Sequence, residues 1–472
     1  MKIPSIILTL ALLLAGPLTG WSQDYSGYYT DLPVAVKPVS PISFPERTAS
    51  ITAHGAVGDG ITLCTAAIQQ TIDSLAALGG GYVRIPAGVW LTGPIELKDN
   101  INLQLDRNAI LYFSPDKELY IDPSPKASRV KACISAMRCS NIGISGSGII
   151  DGNGAQWRPV KRGKVSDTEW KNFKKMGGTE RQGGSLWYPW EMKSGYPDIA
   201  STPEKQEKMR NDLFRVNHCE NILLTGVTFQ NAPKFHVHPF NSRNIIIDGI
   251  TVRCPWNAQN GDAIDLSDCH QVLVVNSTVD AGDDGICLKS GDAKKGTDIN
   301  GVKDILIQDN TVYHAHGGFV IGSEDICGME RVVVRGCRFS GTDTGLRFKS
   351  AIGRGGKTSD IYISGIVMAD IVNEAVIFEC TYADRPAGSK DSDVSAPLKI
   401  EKVPEFKDIH ISDIICRGCS TGIAASGIEG LDCVHDIYIS DSTISYTSKA
   451  TDIDSATADI FLKDVRLVRI HK

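Results

Sequence analysis

Ten times between residues 141 and 460 the chain opens a short alternating strand on the same kind of pair, a turn-forming or polar residue followed by an aliphatic one. The pairs are Asn141-Ile142, Asn221-Ile222, Asn244-Ile245, Gln271-Val272, Asp304-Ile305, Arg331-Val332, Asp360-Ile361, Asp408-Ile409, Asp436-Ile437 and Asp459-Ile460. Most neighbours lie roughly 23 to 33 residues apart, the period of stacked supersecondary units. One such unit cannot bury its apolar face alone, so copies must stack. No helical segment recurs within the unit, which argues against leucine-rich and ankyrin arrays. The expected fold is all-β, a right-handed single-stranded parallel β-helix. The 46 glycines, scattered between short Ile- and Val-rich runs, fit many turns and many short strands.

The ends of such a stack need covering. Ile68, Ile72 and Leu75 recur at helical spacing and the pattern stops at Gly79-Gly80-Gly81, which predicts an N-terminal capping helix. Strands are expected at Tyr82 to Ile85, Val89 to Thr92 and Ile101 to Leu105. Ahead of them, residues 1–22 have the charged start, apolar middle and small-residue end of an export signal. The protein is therefore expected in the periplasm or outside the cell. The apolar run is too short for a membrane anchor, which needs ~20 residues. Residues 23–49 are polar and Pro-rich and read as a leader, so the catalytic β-helix domain is expected over residues 50–472. Two stretches break its period. Residues 153–210 carry four of the seven tryptophans (Trp157, Trp170, Trp187, Trp190), and Tyr382 to Pro404 is polar without periodicity. Insertions of this kind become side loops, often beside the binding face; the tryptophans either stack on a ligand or anchor the loop.

Thirteen cysteines, an odd number with one CxxC at Cys416 to Cys419, read mainly as small buried apolar residues, with room for one or two disulfides. A net charge of −6 and the lack of basic clusters interleaved with aromatics exclude nucleic acid as a partner. Any acidic substrate must be held by locally placed cations. Nothing points to an obligate protein partner, and a monomer is expected.

The chemistry-bearing residues gather between Gln259 and Lys349. Asp262-Ala263-Ile264-Asp265-Leu266-Ser267, Asp284-Gly285-Ile286-Cys287-Leu288-Lys289, His316-Gly317-Gly318-Phe319-Val320-Ile321 and Thr344-Gly345-Leu346-Arg347-Phe348-Lys349 superimpose without gaps. That register puts Asp262, Asp284 and His316 in one column, with Asp283 at the bend before it. Stacked parallel strands are ~4.8 Å apart, so column mates touch. Arg347 and Lys349, two apart on one strand, project to one side, and Lys289 shares the column of Lys349. Each motif alone is an ordinary turn, since Asp readily bonds its own backbone. Together they set three carboxylates beside a histidine and two cations. Such crowding raises the proton affinity of at least one carboxylate, and glycoside hydrolysis needs one protonated and one ionised carboxyl. Arg347 offers a fork matched to a sugar carboxylate.

At these residues the chain resembles family 28 of the glycoside hydrolases, the polygalacturonase-like β-helix enzymes. The family's N-x-D, D-D, G-H-G and R-x-K blocks match Asn260/Asp262, Asp283/Asp284, His316/Gly317 and Arg347/Lys349 in order. The likeness extends to Gly55 to Leu105 and to Asn231-Ala232-Pro233 through His238-Pro239. Gly261 departs from the family's frequent Thr, Ala315 from the first Gly of G-H-G, and Phe348 from its usual Ile. The resemblance implies an inverting hydrolase of α-linked galacturonic acid in pectin, without a metal or other cofactor. It implies Asp283 as general acid, Asp262 with Asp284 as the pair that holds and deprotonates water, and His316 as support for the acid. Asn260, Arg347, Lys349, Lys289, His238 and Tyr382 are the candidate substrate-binding residues. The insertion resembles that of exo-acting members. The alternatives are hydrolysis of a rhamnogalacturonan backbone or side chain, a Ca²⁺-dependent pectate lyase, and a non-catalytic carbohydrate-binding solenoid.

Overall fold

A computed structural model describes residues 23–122, 130–191, 203–291, 299–382 and 402–471. The expected export signal, residues 1–22, and most of the aperiodic stretch from Tyr382 to Pro404 lie outside them. Among the described residues thirty strands join in one hydrogen-bonded system whose coil-to-coil pairings are parallel, as in a right-handed parallel β-helix.

The recurring pairs of the sequence acquire a physical meaning here. The first member of the pair has a left-handed backbone in nearly every coil, with φ of 54° at Asn141, 59° at Asn221, 53° at Asn244, 61° at Asp304 and 51° at Asp408. Asn and Asp tolerate that conformation better than other residues with a side chain. The asparagines also bond one another: Asn141 donates to Asn100 (2.9 Å), Asn221 to Asn141 (2.9 Å) and Asn244 to Asn221 (2.7 Å). The second member points inward. Ile142, Ile222, Ile245, Val272, Ile305 and Val332 pair in register from coil to coil and are fully buried. Each such side chain contributes roughly 1.5–3 kcal/mol by leaving water, so this inner column is a main source of cohesion.

The capping helix α1 spans Thr65–Ala77 and buries Ile68, Thr71, Ile72 and Leu75 over the first coil. Gly79 and Gly80, with φ of 95° and 104°, turn the chain out of it. The strands that follow run Gly81–Ile85, Gly88–Thr92 and Ile101–Leu105, matching expectation within a residue. The leader lies along the outside of the stack, where Tyr25, Val36, Ile42 and Phe44 pack on Ile246, Leu273, Leu306 and Val333. Its end is already part of the sheet, because Thr48–Ser50 pairs with Tyr82 to Arg84.

The insertion at 153–210 carries a helix α2 (Asp167–Lys175) with a capping box between Ser166 and Glu169, and its own three-stranded antiparallel sheet. Its tryptophans resolve the earlier alternative in favour of anchoring. Trp157, Trp170 and Trp187 are buried, Trp157 edge-on to Tyr120 at 4.9 Å. Trp190 donates to the Trp157 carbonyl (3.3 Å).

One strand column positions the site. Its strands are β1 (Phe214–Asn217), β2 (Val237–Phe240), β3 (Ile264–Ser267), β4 (Ile286–Ser290), β5 (Phe319–Asp325), β6 (Leu346–Lys349) and β7 (Glu374–Glu379). Val237, Ile264, Ile286, Phe319, Leu346 and Val376 stand in register, all buried. This corrects one alignment made from sequence. Ile286 pairs with Phe319, not with Gly318. His316 therefore leaves the column of Asp262 and Asp284 and joins that of Asp283, to whose carbonyl its backbone N–H donates (2.8 Å). Register follows whichever residue fills the interior, and a glycine cannot fill it.

Candidate active site

The bends before β3, β4 and β5 deliver the acids and the histidine. Asp262, Asp283 and Asp284 each place a carboxylate oxygen within 4.8 Å of the other two. Asp262 and Asp284 are almost wholly buried, whereas the Asp283 side chain keeps 16% exposure at the cleft surface.

Each carboxylate is met by a different positive group. Lys289, on β4, reaches Asp262 at 3.0 Å and Asp265 at 2.7 Å. Lys349, on β6, reaches back two coils to Asp284 at 2.8 Å. Gly322 in the intervening coil makes that path possible: a Cβ there, at φ +95°, would sit 1.9 Å from the Lys349 carbonyl oxygen. His316 Nδ1 lies 2.9 Å from Asp283 Oδ1. One oxygen each of Asp262 and Asp284 (Oδ1 in both) is buried without a hydrogen-bond partner. These two acceptors face no protein donor, an uncommon condition for buried oxygens.

The electrostatics separate the acids. Burial pushes Asp262 well above the usual carboxylate range, and the charges of Asp265, Asp283 and Asp284 add to this while Lys289 opposes it. Asp265 is raised as well, chiefly by burial, with Lys289 opposing. For Asp283 burial is outweighed by the hydrogen bond from His316 and by the charges of Lys349 and Lys289, which hold it below the ordinary value. Lys349 is itself raised, since the charge of Asp284 outweighs the effect of burial. Because each acid already faces a lysine or histidine, this donor set suits proton chemistry better than a divalent cation.

The expected substrate-binding residues separate into two groups. Arg347 lies beside Tyr382, whose ring centroid is 5.4 Å from its guanidinium carbon, and the buried Lys349, though held by Asp284, brings its Nζ within 5.1 Å of the same ring. The Arg347 Nε has no hydrogen-bond partner. His238 and Asn260 are instead occupied internally. His238 is buried, with Nδ1 2.9 Å from Asp212 and Nε2 3.1 Å from Ser267 Oγ, so it braces neighbouring groups. Asn260, at φ 49°, accepts from Arg210 at 2.8 Å and holds the turn before Asp262. Lys289 is clamped between Asp262 and Asp265, so it too is a brace within the cluster.

Several neighbours escaped the sequence reading. Lys164, from the insertion, sets its Nζ 3.1 Å from His316 Nε2. Asp265 is one alternation along β3 from Ser267, and its burial was masked by an unremarkable strand pattern. His236 has Nε2 accepting from the Ala232 N–H (3.2 Å), so its Nδ1 donates to the Asp262 carbonyl (2.8 Å). His236 lies inside the quoted Asn231 to His238 stretch, a signal that was available.

A parallel β-helix carrying three close carboxylates, a histidine and a clamped pair of cations defines a glycosidase of the polysaccharide-cleaving kind. The family model for glycosyl hydrolases family 28 matches residues 164–459. A probable polygalacturonase of Vitis vinifera is 28% identical over 89% of this chain and 79% of its own. An exo-poly-alpha-D-galacturonosidase of Dickeya chrysanthemi is 26% identical over 83% of this chain and 66% of its own. Among solved structures, an exopolygalacturonase from Thermotoga maritima aligns with TM-score 0.70 at 26% identity, covering 90% of this chain and 94% of that one. The chain belongs to glycosyl hydrolases family 28; it is a glycoside hydrolase, and these relatives support pectin hydrolysis.

Proposed function

We propose that this cluster hydrolyses the α-linked galacturonic acid bonds of pectin with inversion, using Asp283 as general acid and Asp262 with Asp284 as the pair that activates water. The observation that carries this reading is the pair of unpartnered buried oxygens, Asp262 Oδ1 and Asp284 Oδ1, beside an Asp283 that is open to the cleft. A water bridging the two oxygens sits where neither lysine competes for it. Arg347 and Lys349 receive the sugar carboxylate next to the bond that breaks.

Substrate also moves the proton. In the unbound cluster burial favours a proton on Asp262, while His316, Lys349 and Lys289 keep Asp283 ionised. A galacturonate carboxylate on Arg347 and Lys349 neutralises part of that positive field. The proton affinity of Asp283 then rises, Asp283 becomes the donor to the leaving oxygen, and Asp262 and Asp284 are both left ionised to accept from water.

The test is Asp283→Asn. Turnover on de-esterified homogalacturonan oligomers should fall by roughly 10²- to 10⁴-fold, the range for losing a general acid, while the Kd for the same oligomer stays within about threefold. Equal turnover in variant and wild type would remove Asp283 from the chemistry. Residues 1–22 are read as the export signal of this enzyme, which places it with its polymeric substrate outside the cytoplasm. Among the described residues no helix is long and apolar enough to cross a membrane.

A further inference from the structure

Asp262 has little in its own side chain to hold it in place. One oxygen bonds Lys289 (3.0 Å), and the other has no hydrogen-bond partner among the described residues. Where that free oxygen points is therefore set by the backbone on either side. At the acid itself the backbone is braced by the preceding coil, since the Asp262 carbonyl accepts from the His236 N–H (3.0 Å) and from its ring Nδ1 (2.8 Å). Before the acid comes the turn Gln259-Asn260-Gly261, with Asn260 in the left-handed conformation at φ 49°. The Gly261 carbonyl is tied to the Gly282 N–H (3.2 Å), and the two residues before it are tied to Arg210.

Arg210 closes the insertion, and its guanidinium is 1% exposed. All five of its N–H groups are used. Nη1 donates to the Gln259 carbonyl (2.7 Å) and to that of Pro233 (3.5 Å), Nη2 donates to Asn260 Oδ1 (2.8 Å) and to Glu207, and Nε donates to Glu207 (2.8 Å). Glu207 in turn accepts from the hydroxyl of Tyr188, which stands on the insertion's antiparallel sheet opposite Thr179. Beside Glu207, Gln206 accepts from Arg181 (3.3 Å) and donates to the Trp190 carbonyl (3.1 Å). An unbroken path thus runs from the insertion's sheet through Glu207 and Arg210 to the turn that delivers Asp262. A rigid planar fork fixes two acceptors on consecutive residues at once, which an ammonium on a flexible stem does not.

We propose that Arg210 is a positioning residue for the hydrolysis, clamping Gln259 and Asn260 so that Asp262 presents its free oxygen to the water it shares with Asp284. The inference rests on the hydrolase reading and deepens it. It gives the insertion a part in the chemical step as well as in the scaffold. Misplacing a reacting group by about 1 Å can cost about 100-fold in rate. Arg347 and Lys349 lie on a different strand, β6, and keep their hold on substrate when the clamp is lost.

The experiment compares wild type, Arg210→Lys, Asn260→Gly and the double variant on a homogalacturonan hexamer, each assayed below its own Tm. Lysine keeps the charge opposite Glu207 but cannot span both acceptors of the turn, and glycine keeps the left-handed turn while removing the Asn260 acceptor. Each single variant should lose roughly 10- to 100-fold in kcat with KM within about twofold of wild type. The double variant should be at most about threefold slower than the slower single variant, because both substitutions break one clamp. A loss confined to KM, an Arg210→Lys kcat within about twofold of wild type, or losses that multiply in the double variant would each overturn the positioning role while leaving the hydrolase intact. A wild type that releases no reducing ends from the hexamer would overturn the hydrolase reading and this one with it.

Discussion

His316 is gripped from two sides by groups of opposite charge. Asp283 lies at Nδ1 and the Lys164 ammonium at Nε2. An ammonium can only donate, so Nε2 must accept and Nδ1 must carry the proton that bonds Asp283. Lys164 thus selects the tautomer that keeps His316 attached to the acid. Lys164→Met should lower kcat roughly tenfold with KM little changed, and release the imidazole from the Nδ1–H tautomer. Imidazole ¹⁵N NMR, which reports the tautomer, alongside steady-state kinetics checks this, and an unaltered tautomer would reduce Lys164 to packing. A second residue-scale effect concerns stability. Burial raises Asp325 from 3.8 to about 6, against hydrogen bonds from Thr358 and Ser290. Between those values the unfolded chain has lost the proton that the folded chain keeps, so the contribution of Asp325 falls as pH rises through about 4 to 6. His236, lowered to about 4 mainly by burial, works in the opposite sense, and its contribution is lost as pH falls from 6.5. Asp325→Asn should therefore gain stability relative to wild type as pH rises from 4 to 7, by about 3 kcal/mol at most, measured by urea unfolding at each pH. A difference independent of pH would contradict the assignment.

At the scale of elements, what the sequence revealed was what repeats. The turn residue and the inward aliphatic recur because every coil meets the same two demands, a left-handed corner and a filled interior, so Asn244-Ile245 and Asp304-Ile305 can be read without coordinates. The clustered acids were legible for the same reason: Asp262 and Asp284 precede Ile264 and Ile286 by the same two residues, and these pair directly. His316 was misplaced by one position because matching Gly317 to Gly285 looks natural in sequence, whereas the stack aligns Phe319 with Ile286. Lys164 was not legible at all. It stands in an insertion with its own small sheet, outside any repeat register, and only folding of that insertion brings it to His316. The tryptophans of the insertion were legible as large apolar groups but not in their partners, since anchoring and ligand stacking use the same residues.

At the scale of the molecule, a chain of net charge −6 acts on a polyanion by concentrating its cations at one cleft. Lys289, Lys349 and Arg347 lie among or beside the carboxylates. The central claim, that water held by Asp262 and Asp284 attacks as Asp283 protonates the leaving oxygen, is tested most directly by ¹H NMR of a homogalacturonan digest in EDTA from its first minutes. The account predicts saturated products whose new reducing ends appear first as the β-anomer and then mutarotate. An α-anomer appearing first, or an unsaturated ultraviolet-absorbing product that requires Ca²⁺, would contradict it.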